Sequence, residues 1–260
     1  MINISSAQLD AWFGLFIWPF LRITALLLSE PVLGNRAVPT RIRLGIAVIL
    51  TVTIAPMLPV SPTVNILSAQ GIVMATQQIL IGVILGLSVR MALNGIEMAG
   101  HIAGLSMGLG FATFFDPQNG AQSPVLAQFL GMFAMLVFLA LNGHLIVISA
   151  LFESFQILPI STASLNPDGF YAIALAGGQM FLVGLMLALP LIAAILIANI
   201  ALGVLTRAAP QLNLFAVGFP ITIAAGFAVM YMALPYYLPP ISRLMEEGAA
   251  QGLKLIGLLR

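Results

Sequence analysis

The sequence contains no cysteine, which excludes thiolate catalysis, iron–sulfur ligation and disulfide stapling. Charge is almost as scarce. Nine Lys and Arg and eight Asp and Glu among 260 residues amount to 7%, against roughly 25% in soluble globular proteins, so the chain cannot cover a water-facing surface. A net charge of +1 leaves no footprint for nucleic acid. There are two histidines, and only Glu97 is near His101, which falls short of the ligand sets that zinc takes. No HExxH, GxSxG or Walker string is read in the sequence. Ser106, His101 and Asp116 are the residue types of a hydrolytic triad but are not read as one. No enzyme active site and no cofactor are expected.

What fills the chain is apolar: 61% of it is hydrophobic. Uncharged stretches run over 44–89, 117–152, 169–206 and 208–242, each longer than the roughly 20 residues that span a bilayer. Lipid offers backbone groups no hydrogen-bond partner, and no segment alternates with the period of an outer-membrane barrel, so these stretches are read as helices. The N-terminus carries Asp10 and no basic region, which makes 12–28 a retained membrane helix and not a signal peptide. The expected fold class is an all-α membrane protein. It has about six long hydrophobic, partly broken helices near 12–28, 42–57, 70–93, 125–155 (with a break at Asn142-Gly143), 170–200 and 214–238.

The intervals between them carry turn chemistry: Pro31 and Pro39, the group Pro56, Pro59 and Pro62, Asp116-Pro117, Asn166-Pro167 and Pro210. Pro190 and Pro220 fall inside apolar runs, where a ring without an N–H kinks a helix. Counting basic residues puts Arg36, Arg41, Arg43 and Arg207 on the cytoplasmic side and the loops 55–70 and 156–169 opposite. An even number of spans then leaves both ends of the helical part outside. In the tail 243–260, Arg243, Lys254 and Arg260 are offset by Glu246 and Glu247, so charge assigns it no side.

Small residues at Gly82 and Gly86, and at Gly100, Gly104 and Gly108, line one helix face each. They permit close backbone approach, either within the chain or against another subunit. Ionisable groups at membrane depth are the next candidates: Arg22, Arg90, Glu97 and His101. In a continuous helix the last three share roughly one face. They form a polar stripe along a water-filled path, an ion pair that holds helices in register, or side chains that snorkel to the interface. The segment from Met107 to Pro117 is glycine-hinged at Gly108 and Gly110, rich in phenylalanine (Phe111, Phe114, Phe115) and closed by a proline turn. It reads equally as an apolar flap or as core packing.

Four segments in order resemble the FliR family of flagellar export-gate proteins, related to the SctT proteins of injectisomes: 31–41, the flap 104–122, Gly143-His144 and 207–220. The match covers nearly the whole chain. Glu30 departs from the pattern, which has a small apolar residue there. The resemblance implies a FliP-like N-terminal part (1–165), a FliQ-like helical hairpin (166–240) and a C-terminal tail (241–260). It implies partners FliP and FliQ in several copies, FlhB and FlhA, unfolded export substrates and surrounding lipid. The implied setting is an inner-membrane gate of the flagellar basal body, partly lifted toward the periplasm. The implied roles are a channel plug at Met107, Gly108, Gly110, Phe111, Phe114 and Phe115, and an FlhB-contacting loop at Arg207, Pro210, Gln211 and Asn213. The injectisome counterpart shares these expectations apart from cargo. A self-contained secondary transporter is the rival from another class.

Overall fold

The computed structural model describes residues 6–59, 62, 64–109, 125–209 and 214–260. Among the described residues the regular structure is helical throughout: α1 (Ser6–Ser29), α2 (Thr40–Ile54), α3 (Ala69–Ser106), α4 (Val125–Ala140), α5 (Gly143–Ile157), α6 (Asp168–Ala208), α7 (Leu214–Ala233) and α8 (Leu238–Gly257). Four helical stretches are long and apolar enough to cross a membrane: Thr40–Met57, Ala69–Ser106, Asp168–Ala208 and Gly218–Gly257. These are the four among the described residues; the pair α4 and α5, bent by 70°, adds a fifth when taken as one broken span, and α1 contributes a shorter apolar helix over Gly14–Ser29.

The breaks follow the local chemistry. Asn142 takes the left-handed conformation, φ 56°, between α4 and α5, which asparagine tolerates better than other residues with a Cβ. The helices α6 and α7, by contrast, run on through Pro190 and Pro220. The third helix, predicted to stop at Leu93, continues to Ser106, so Gly104 belongs to α3 and not to the flap. No proline occurs between Pro62 and Pro117, and Asn94-Gly95 fails to break the helix. A Cβ on Gly95 would lie 2.8 Å from Val183 Cγ1, so the missing side chain admits α6. At 38 and 41 residues, α3 and α6 are each about 60 Å long, twice the ~30 Å hydrocarbon core of a bilayer.

The predicted tail 241–260 is also helical. In α8, Ile241, Met245 and Ala249 are buried at four-residue spacing while Arg243, Glu246, Glu247 and Lys254 face outward, the pattern of an amphipathic helix. Counting its charges for topology hides that period.

The chain forms two compact units that interleave in sequence. The first comprises 1–91, 142–177 and 245–260; the second comprises 92–141 and 178–244. These boundaries differ from the segments 1–165, 166–240 and 241–260. The first unit is built around Trp18, Ile23, Leu26, Met74, Ile81, Leu85, Leu151 and Phe155. In it, Gly82 and Gly86 let α3 lie against α1: a Cβ on Gly82 would strike the Arg22 carbonyl, and one on Gly86 the Ser29 hydroxyl. Asn166 N–H donates to the Leu259 carbonyl at 3.0 Å, which ties the end of the chain to the start of α6. The second unit buries Ile96, Met107, Ala134, Phe138, Ala188, Leu191, Ile195 and Met230. Gly100 lets α3 approach α4 in this unit: a would-be Cβ would lie 2.6 Å from Ala127 Cα.

Candidate functional site

The chain leaves α3 through a tightly specified stop. Gly108 N–H donates to the Leu105 carbonyl at 3.0 Å and Leu109 N–H to the Gly104 carbonyl at 3.0 Å. This pair of bonds defines a Schellman motif, whose C′ residue must be left-handed. Gly108 fills that place with φ +82°. A side chain there would also meet the Phe219 ring of α7 at 2.8 Å. One residue earlier, Met107 is fully buried and packs where a Cβ on Gly226 of α7 would stand, 2.6 Å away. Its carbonyl accepts the Thr222 hydroxyl at 3.4 Å. Met107 and Gly108 are therefore fixed to α7.

Of the predicted plug residues, Gly110, Phe111, Phe114 and Phe115 lie outside the described residues. Their flanks border two cavities in the second unit. One, of about 410 Å³, is lined by Ser106, Gly108, Asn199, Phe219 and Thr222 among others. The other, of about 540 Å³, is almost wholly apolar and is lined by Leu109, Val125, Phe129, Phe227, Met230 and Tyr231 among others. The residues Gly104, Ser106 and Gly108 do carry the Gly-x-Ser-x-Gly spacing of a hydrolase nucleophile turn, which needs a strand-to-helix elbow. Ser106 instead ends a helix, and its hydroxyl donates to the Ile102 carbonyl at 2.9 Å.

Arg90, Glu97 and His101 all lie on α3. Arg90 is exposed in the first unit, while Glu97 and His101 are half-buried in the second. Glu97 reaches over Gly131 of α4, with its carboxylate 3.7 Å from where a Cβ would stand. Among the described residues none of the three forms a salt bridge. Arg207 is exposed in the last turn of α6, where a cation complements the helix dipole. Pro210, Gln211 and Asn213 lie outside the described residues. Gly104 is buried, like Gly82, Gly86 and Gly100.

The most developed polar site belongs to Arg22, to which the sequence assigned no role. Its side chain is fully buried in the first unit. Nε donates to Gln78 Oε1 at 2.8 Å, Nη1 to Ser154 Oγ at 3.2 Å and Nη2 to the Leu158 carbonyl at 2.9 Å. The guanidinium also lies 4.1 Å from the Phe155 ring centroid. No carboxylate is needed, because Ser154 and Leu158 stand at the C-terminal end of α5, where unpaired carbonyls concentrate negative potential.

Glu30 is buried just past α1. Its carboxylate accepts the N–H groups of Val32 at 3.1 Å and of Leu33, which brace the loop that follows. Burial raises its pKa, against the opposing pull of the Leu33, Val32 and Gly34 N–H groups and of His144.

The sequence matches the family model described as bacterial export proteins, family 1, over residues 13–248. It is 45% identical to the flagellar biosynthetic protein FliR of Escherichia coli (strain K12), over 95% of this chain and 94% of that one. It is 46% identical to the FliR of Pectobacterium carotovorum subsp. carotovorum, with the same coverage. The FliR of Bacillus subtilis (strain 168) is 32% identical over 85% of this chain and 86% of its own length. The fold is that of an all-helical membrane protein. The chain belongs to the bacterial export proteins, family 1, the family of the flagellar FliR proteins.

Proposed function

We propose that the chain is the FliR subunit of a flagellar export gate. It assembles with several copies of FliP and FliQ in the inner membrane at the basal body, and unfolded rod, hook and filament proteins pass through the channel so formed. The observation that carries this reading is the 45–46% identity to FliR proteins along 95% of the chain. The role is non-catalytic. The segment 1–165 is proposed to be FliP-like and the hairpin 166–240 FliQ-like. FlhB contacts the cytoplasmic loop at Arg207, Pro210, Gln211 and Asn213, and FlhA stands nearby. With α3 and α6 about twice as long as the bilayer core is thick, part of the assembled gate extends toward the periplasm.

In the same proposal Gly110, Phe111, Phe114 and Phe115 seal the resting channel. Met107 and Gly108 are the fixed root from which that seal projects, since both are pinned to α7. An apolar constriction excludes ions by dewetting and yields when a chain is pushed through. The assembly test is co-purification: with FliP and FliQ co-expressed, tagged chain should draw down both in a fixed ratio. A chain that stays alone in detergent while FliP and FliQ assemble without it would overturn the proposal.

A further inference from the structure

Three arginines stand within eight residues in the loop between α1 and α2 and in the first turn of α2. Arg36 and Arg41 are exposed. Arg43 donates through Nη2 to the Asn35 carbonyl, and its buried Nε has no acceptor among the described residues. No acidic residue occurs between Glu30 and Glu97, and Glu30 is turned onto the backbone of its own loop. Within this stretch of sequence the cluster therefore has no acidic neighbour apart from Glu30.

Beneath it, α2 is nearly bare. Only Ala47, Thr51 and Ile54 are buried, whereas Ile42, Leu44, Val48, Ile49 and Val52 are exposed. Arg41, Leu44, Val48 and Val52 follow at spacings of three, four and four residues, so they form one stripe with Arg41 at its head. Gly45 opens a notch in that stripe, with nothing within 4 Å of a would-be Cβ. From Arg41 to Val52 the helix rises about 16 Å, the depth of one leaflet of a ~30 Å hydrocarbon core.

We propose that Arg36, Arg41 and Arg43, with the exposed stripe of α2, form a binding site for an anionic phospholipid. The phosphate sits on the guanidinium groups and an acyl chain lies over Gly45. Guanidinium matches phosphate through paired N–H donors, and the length of the stripe matches one leaflet. A partner helix without acidic residues would cover the apolar stripe but leave the exposed Arg36 and Arg41 unpaired. A free phosphate would answer the charges but leave the stripe bare.

The test is native mass spectrometry of the full chain, extracted with its assembly in non-ionic detergent and supplied with phosphatidylglycerol or phosphatidylcholine. Phosphatidylglycerol should be retained and phosphatidylcholine lost. Arg36→Gln with Arg41→Gln should weaken that retention about fivefold for each arginine removed, and Arg36→Lys with Arg41→Lys should keep most of it. Gly45→Leu, which fills the notch without touching charge, should also lower retention, and it serves where the glutamine variant fails to assemble. Equal retention of the two lipids, indifference to the glutamine and leucine variants, or displacement of phosphatidylglycerol by inorganic phosphate would each overturn the proposal. So would a photoreactive residue at Val48 that crosslinks to protein and not to lipid.

Discussion

The guanidinium of Arg22 lies over the ring of Phe155 at 4.1 Å and donates to the carbonyl of Leu158, three residues on, at 2.9 Å. A cation from α1 thus caps the C-terminal end of α5, while Gln78 of α3 takes its Nε. One buried charge ties three helices together with no counter-ion among the described residues. Removing it leaves the Gln78 amide and the Ser154 hydroxyl without their shared partner, and an empty space beside Phe155. Arg22→Leu leaves the Gln78 amide, the Ser154 hydroxyl and the Leu158 carbonyl unpaired and should cost about 1–3 kcal/mol for each that finds no other partner. Gln78→Leu should cost less, about 1.5–3 kcal/mol, for one bond to a charged group. Thermal unfolding in detergent, read as a double-mutant cycle, checks both; strictly additive losses would mean that the two side chains do not act together.

Gly108 is the second point of high leverage, because its φ of +82° and its contact with Phe219 both exclude a side chain. Gly108→Ala should lose about 1–2 kcal/mol from the torsion alone, with a further loss from displacement of the ring. Adding Phe219→Ala should relieve the ring contact and leave the torsional cost. Unfolding midpoints for the single and double variants separate the two. Full tolerance of alanine at this position would contradict the Schellman stop.

Glu30 makes a pH-dependent contribution with a definite sign. Burial raises its folded pKa above the ordinary glutamate range, with His144 and three backbone N–H groups opposing. The folded state then binds the proton more tightly than the unfolded one. Stability from this group is greatest below the ordinary glutamate pKa and declines as pH rises through the raised value. The unfolding midpoint should fall across that window in the native chain and change less in Glu30→Gln. A midpoint that climbs through the same window would reverse the sign and refute the assignment.

Hydrophobic stretch and turn chemistry made most of this fold legible. The membrane class, the break at Asn142, the prolines inside α6 and α7 and the positions of the long helices all follow from residues in the sequence. Three features did not. The extension of α3 past Asn94-Gly95 depends on α6 arriving at Gly95, a tertiary contact that no local rule contains. The order in α8 was masked by its charges, although Ile241, Met245 and Ala249 carry the period. The partners of Arg22 are neutral side chains and a helix-end carbonyl, whereas a search for a buried arginine's partner looks for a carboxylate. The stop at Gly108 could have been found from its glycine following a long proline-free apolar run.

The central claim is that this chain supplies the seal of an export channel, so the most direct measurement is ion conductance. Gates assembled with the chain lacking 110–114 should be compared with intact gates in planar bilayers, with assembly verified by the FliP and FliQ content. The account predicts that intact gates are closed to small ions and that the deleted gates conduct steadily, because the apolar constriction that dewets the path has been removed. Deleted gates that assemble normally and remain as closed as the intact ones would contradict it.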